Sequence, residues 1–102
     1  MSQTLNSVKS IKVIISGRVQ GVWFRGWTAE IANSLGISGW VRNRVDGTVE
    51  ALFSGSSKNV DQIIKACWNG PPNARVTKIS PVRVDFPKEH IIFHILPNDA
   101  GF

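Results

Sequence analysis

Ser16-Gly17-Arg18-Val19-Gln20-Gly21-Val22-Trp23-Phe24-Arg25 is the stretch around which the rest of the chain arranges itself. Before it, Ser10 to Ser16 alternates, with Ile11, Val13 and Ile15 on one face, which is the period of a strand. Ile14 on the other face points to a central strand. After it, Phe24, Trp27, Thr28, Ile31, Ala32 and Leu35 recur at helical spacing, so Trp23 to Leu35 reads as an amphipathic helix, closed by Gly36 as its C′ residue. A strand, a glycine-bearing turn and a helix start form a layout suited to an anion, because the first N–H groups of a helix have no partner inside it and the dipole there is positive. Gly17 and Gly21 permit backbone angles that other residues resist. Amides from Val19 to Arg25 can then converge as a backbone nest, with the Arg25 guanidinium adding charge and a forked pair of donors. The same residues also read as a tight βα turn carrying two solvated arginines, and spacing alone leaves both readings open.

Working outward, Gly39 to Arg44 and Thr48 to Ser54 read as two strands joined through Val45-Asp46-Gly47, a hairpin signal. Val49, Ala51 and Phe53 share a core face, and Glu50 opposite them reads as a solvated charge. Ser56-Ser57 supplies a helix N-cap, and Val60, Ile63, Ile64 and Cys67 form a second helical stripe that ends at Gly70-Pro71-Pro72. Val76 to Phe86 is extended, and Pro81 inside it demands an edge position or a bulge. Pro87 to His90 reads as a turn and Ile91 to Leu96 as a short last strand, with Phe93 and Ile95 toward the core. Met1 to Lys9 and Pro97 to Phe102 read as tails. The order β-α-β-β-α-β-β predicts an α+β ferredoxin-like sandwich, a mostly antiparallel sheet with two helices on one face. The fifth strand has no place that the sequence assigns.

With 102 residues the chain fits one domain, taken as residues 10–102 behind a flexible segment 1–9. Its hydrophobic share of 42% suffices for a core without disulfides, and the single cysteine, Cys67, reads as a small core residue. No apolar run is long enough to span a bilayer and residues 1–10 carry no signal-like stretch, so the expected setting is cytoplasmic, with no membrane partner. The formal charge of +5 comes from scattered residues, consistent with a field that attracts small anions or with a plain basic surface.

Asn43 ends the second strand. Asn offers an acceptor and two donors, which suits positioning a water but not general-base work, and by spacing alone it reads first as a residue satisfying its own turn. His90 and His94 read as polar residues on an outer strand face. Asp46 and Asp85 are isolated. No carboxylate pair, metal-ligand spacing, Ser-His-Asp set or Cys-His set emerges, so no metal and no cofactor are expected.

Gly17 to Arg25 resembles the first signature of the acylphosphatase family. Gly39-Trp40-Val41-Arg42-Asn43 with Asp46-Gly47-Thr48-Val49-Glu50, and Gly70-Pro71-Pro72-Asn73-Ala74-Arg75-Val76, match further blocks in order, and the resemblance covers roughly residues 9–96. It implies the same ferredoxin-like fold and a hydrolase that splits the carboxyl–phosphate bond of small acyl phosphates. By similarity, the backbone amides of Val19, Gln20, Gly21, Val22, Trp23 and Phe24, with the Arg25 side chain, bind the phosphoryl group, and Asn43 orients the water. Inorganic phosphate is then product and competitive inhibitor, and the protein is expected to be a monomer. Trp23 is bulkier than the family pattern leads one to expect, and Gly26 and Trp27 are unusual at a helix start. An RNA-binding module of the same fold is the main rival, but Thr48-Val49-Glu50-Ala51-Leu52-Phe53-Ser54 lacks the exposed aromatics such readers carry, so no nucleic-acid partner is expected. Two further rivals are a carbamoyl-phosphate site serving a larger maturation enzyme and a fold retained without activity. Which acyl phosphate is used does not follow from these residues.

Overall fold

In the computed structural model, residues 7–85 and 92–98 are described. The turn expected over 87–90, His90 and most of both expected tails lie outside them. The elements run β1 (Val8–Arg18), α1 (Phe24–Ser34), β2 (Ser38–Asn43), β3 (Val49–Ser56), α2 (Ser57–Cys67), β4 (Arg75–Arg83) and β5 (Phe93–Ile95). β1 is longer at both ends than the alternation Ser10 to Ser16 indicates. Its first residues pair with the end of β3, Val8 opposite Ser56 and Lys9 opposite Gly55, and Lys9 Nζ reaches the Asp61 carboxylate on α2.

The strand order is β4-β1-β3-β2-β5. β3 is antiparallel to β1 and to β2, β4 is antiparallel to β1, and β5 is parallel to β2. This is the expected ferredoxin-like sheet with the fifth strand added in parallel at the edge beside β2. β1 is internal and β4 is an edge, which is where Pro81 costs no ladder bond on its open side.

One face of the sheet carries the core. Ile11, Val13, Ile15, Val41, Val49, Ala51, Phe53, Ile79 and Phe93 pack there against Phe24, Thr28 and Ala32 of α1 and Val60, Ile63 and Cys67 of α2. Thr28 is tolerated in this apolar layer because its hydroxyl donates to the Phe24 carbonyl at 2.8 Å. α1 ends in a Schellman motif: Gly36 N donates to the Asn33 carbonyl, Ile37 N to the Ala32 carbonyl, and Gly36 has φ 67°. α2 starts on Ser56, whose hydroxyl accepts from Asn59 N at 3.2 Å.

Two sequence expectations change. Glu50 is buried rather than solvated. It lies on the uncovered face of the central strand β3, where Arg42 Nε approaches at 2.9 Å, Lys12 Nζ at 3.5 Å and Arg44 Nη1 at 4.0 Å. Long basic side chains from both neighbouring strands lie down over it and keep their own ends wetter. Ile95, expected on the core face with Phe93, is half-exposed, because it stands at the end of the sheet, where the loop before α1 leaves a cleft.

Cys67 is fully enclosed, and burial pushes its thiol up from 9.0 to about 12. The unfolded chain loses this proton at lower pH than the folded one. The contribution is therefore complete below about pH 9 and is lost as pH rises from about 9 to 12. Cys67→Ala should flatten the alkaline decline of stability across that window, measured by denaturant unfolding, and native protein should resist thiol alkylation at pH 8.

Candidate active site

The C-terminal ends of β1, β2 and β5 lie at one edge of the sheet, because β1 and β2 flank β3 and both oppose it in direction. Ile15, Val49 and Asn43 form one cross-strand row there, so Asn43 sits about 10 Å, two strand spacings, from Ile15, shortly before β1 ends at Arg18. The segment between β1 and α1, residues 19–23, bends back over this edge.

Its conformation has local causes. The β1–β4 register shifts between Ser16 and Gly17, and a Cβ on Gly17 (φ 121°) would run into the Arg75 carbonyl. Gly17 thus serves a bulge and a close strand approach, not the loop proper. Gly21 has φ 74° with open space around it, so it serves the turn itself. Val19 and Val22 are buried and anchor the segment on the core. Gln20 turns the other way. Its Nε2 donates to the Arg44 carbonyl at 2.8 Å and to the Thr48 carbonyl at 2.9 Å, strapping the loop to the β2–β3 hairpin. That hairpin is itself closed by Asp46 Oδ1, which accepts from Thr48 Oγ1 at 2.6 Å and Thr48 N at 3.0 Å. These bonds, the side-chain one first, hold the Asp46 carboxyl below its ordinary value.

Trp23 precedes α1 with φ 69° and ψ 24°, a left-handed conformation uncommon for a bulky residue and costing about 1–3 kcal/mol. No side chain caps α1 and its first turn holds no acidic residue. The indole lies across Gly26, where any Cβ would collide with Trp23 Nε1. This explains the glycine in the first turn, which weakens the helix by about 1 kcal/mol relative to alanine.

Val19, Gly21, Trp23, Phe24, Arg25, Gly26, Asn43 and Ile95 line one cleft of about 320 Å³. Arg25 is half-buried, and its Nη1 donates to Asn98 Oδ1 at 3.1 Å. Asn43 is buried at the end of β2. Of the residues expected at the site, Arg25, Asn43, Val19, Gly21, Trp23 and Phe24 thus meet around one space. The side chains of Gln20 and Val22 point away from it, leaving only their backbone to contribute. Ile95 and Asn98 join the site without a sequence signal, since their part depends on the placement of β5. His94 is exposed on β5 opposite Trp40, outside the cleft.

The profile of the acylphosphatase family matches residues 11–95. The chain belongs to the acylphosphatase family. A Rhodospirillum rubrum acylphosphatase is 57% identical over 77 residues, 74% of this chain and 85% of that one, and a Pelotomaculum thermopropionicum acylphosphatase is 45% identical over 81% and 90%. The Bacillus subtilis acylphosphatase crystal structure superposes with TM-score 0.82 at 36% identity, covering 87% of this chain and 98% of that one. Full-length HypF in a phosphate- and nucleotide-bound form matches with TM-score 0.81 at 27% identity, over 94% of this chain but 13% of that one. The activity is accordingly that of an acylphosphatase, a hydrolase of acid anhydrides.

The Gln20 strap carries a prediction. Gln20→Ala removes two hydrogen bonds and should lower stability by about 1–3 kcal/mol in denaturant titrations. Gln20→Glu should cost more, because a carboxylate would then face two carbonyl oxygens.

Proposed function

We propose that this cleft hydrolyses small acyl phosphates by holding the phosphoryl group on the loop before α1 and presenting a water from Asn43. The observation that carries the reading is the meeting, in one cleft, of an uncapped helix start, the Arg25 guanidinium and the buried Asn43 amide.

An acyl phosphate has a good carboxylate leaving group, so its cleavage asks for charge stabilisation and positioning more than for proton transfer. The amides of Val19 to Phe24 and the Arg25 side chain bind the phosphoryl oxygens. Charge there grows in the transition state, and donors fixed in advance meet it without reorganising. Arg25 exchanges its neutral partner, Asn98, for an anion, and among the described residues no carboxylate has to be displaced first. Asn43 accepts a hydrogen bond from the attacking water and aims its oxygen at phosphorus, opposite the leaving carboxylate. The bond from water oxygen to phosphorus forms and the bond from phosphorus to acyl oxygen breaks, its electron pair leaving on the carboxylate. The water's proton passes to a phosphoryl oxygen of the substrate. The products are a carboxylate and inorganic phosphate, which competes for the same site. Within this reading the protein acts as a cytoplasmic monomer on small dissolved substrates.

Arg25→Ala should lower kcat/KM for benzoyl phosphate by about 10²–10³, as removal of a key charge-stabilising donor does, assayed with a chelator present. Asn43→Ala should lower kcat while inorganic phosphate still inhibits, because the water and not the anion loses its partner. His94→Ala should keep its activity, and a large loss there would contradict transfer of the proton to substrate. Near-normal activity of folded Arg25→Ala would overturn the assignment.

A further inference from the structure

Trp23 is 57% exposed, and Ile95, which lines the same cleft, is 49% exposed. A single exposed indole is unremarked on most proteins. This one is maintained against two local preferences, a left-handed backbone at a bulky residue and a glycine inside a first helical turn. The glycine makes room for the indole, yet the indole itself stays more than half exposed, so the fold gains little burial in return. Val19 and Phe24, which line the same cleft, are buried. Among the described residues lining the cleft, Arg25 is the one charged side chain and Asn43 the one neutral polar side chain. Both are committed to phosphoryl group and water. What remains for the acyl part of a substrate is carbon surface, the Trp23 indole and the Ile95 side chain foremost.

Resting on the function proposed above, we infer that Trp23, seated on Gly26 and lining the cleft with Ile95, is the specificity-determining residue for the acyl group, and that the preferred substrates carry a flat apolar acyl group, as an aromatic carboxylic–phosphoric anhydride does. The indole contributes stacking area and a wall that excludes water, while the described residues of the cleft offer no second cation for an anionic acyl tail and no carboxylate for an amine-bearing one. Gly26 is a positioning residue: it acts on substrate only through where it lets the indole lie.

The test is the ratio of kcat/KM for benzoyl phosphate to that for acetyl phosphate in the full-length protein. It is measured for the wild type, Trp23→Gly, Gly26→Ala and Ile95→Ala, with circular dichroism to verify folding. Glycine suits the left-handed backbone at position 23 and keeps the amide there. The wild type should favour benzoyl phosphate. Trp23→Gly should lower the ratio about tenfold, the size of one aromatic contact. Gly26→Ala should lower it in the same direction although alanine is the better helix former, because the new methyl displaces the indole. Ile95→Ala should lower it less. Inorganic phosphate should inhibit all four. A ratio that stays at the wild-type value in folded Trp23→Gly and Gly26→Ala, while both substrates are still turned over, overturns the inference and leaves the function standing. Failure of the folded wild type to hydrolyse either substrate overturns the function and this inference with it.

Discussion

The placement of β3 between β1 and β2, antiparallel to each, is the constraint on which the site depends. It forces β1 and β2 to run the same way with one strand between them, so their C-terminal ends share an edge. The row Ile15–Val49–Asn43 then sets Asn43 two strands across from the last residues of β1 before its loop. α1 must return along the covered face to reach the start of β2, so its N-terminus also opens at that edge. β5, parallel to β2, brings Ile95 and Asn98 to the same place, and Arg25 meets a residue 73 positions away in sequence. Four separate segments thus converge because of strand direction.

The periodicities that set the elements were legible in the sequence. Apolar alternation located the strands within a few residues, Ser56 and Gly36 marked a helix start and a helix end, and Pro81 pointed to the edge. What stayed hidden depended on which strand lies beside which. Glu50 read as solvated because a sequence does not reveal that Lys12 and Arg42, from two different strands, will close over it. Ile95 read as core because alternation gives a face but not how far the helix layer extends over it. Gly17 read as part of the loop, whereas its need arises from the approach of β4 at Arg75. The Gln20 side chain gave no signal at all, since its acceptors are backbone carbonyls, which every residue carries.

The loop is held at three points. Val19 and Val22 anchor it below, the Gln20 amide ties it sideways to the hairpin, and the bulge at Gly17 sets the angle at which it leaves the sheet. A nest of amides stabilises charge well only when the amides do not have to reorganise on binding, and a short loop left to itself would fluctuate. The hairpin that receives the strap is the one that follows Asn43. Through Gln20, then, the segment that would bind the phosphoryl group and the residue that would present the water share one rigid support.

The two helix starts show the difference between a structural end and a chemical one. α2 begins in the ordinary way, with the Ser56 hydroxyl accepting from Asn59 N, and its first turn has a side-chain partner within the protein. α1 begins on a left-handed tryptophan with no side-chain cap among the described residues and a glycine where a helix former would serve better. Each departure weakens α1, and each makes sense once the N-terminus is taken as a surface for something outside the chain: uncapped amides for an anion, a glycine that seats an indole, an indole that walls a cleft. A capping serine or aspartate at position 23 would strengthen the helix and would place an acceptor where donors are needed. The helix that is less well made in isolation is the one that the site requires.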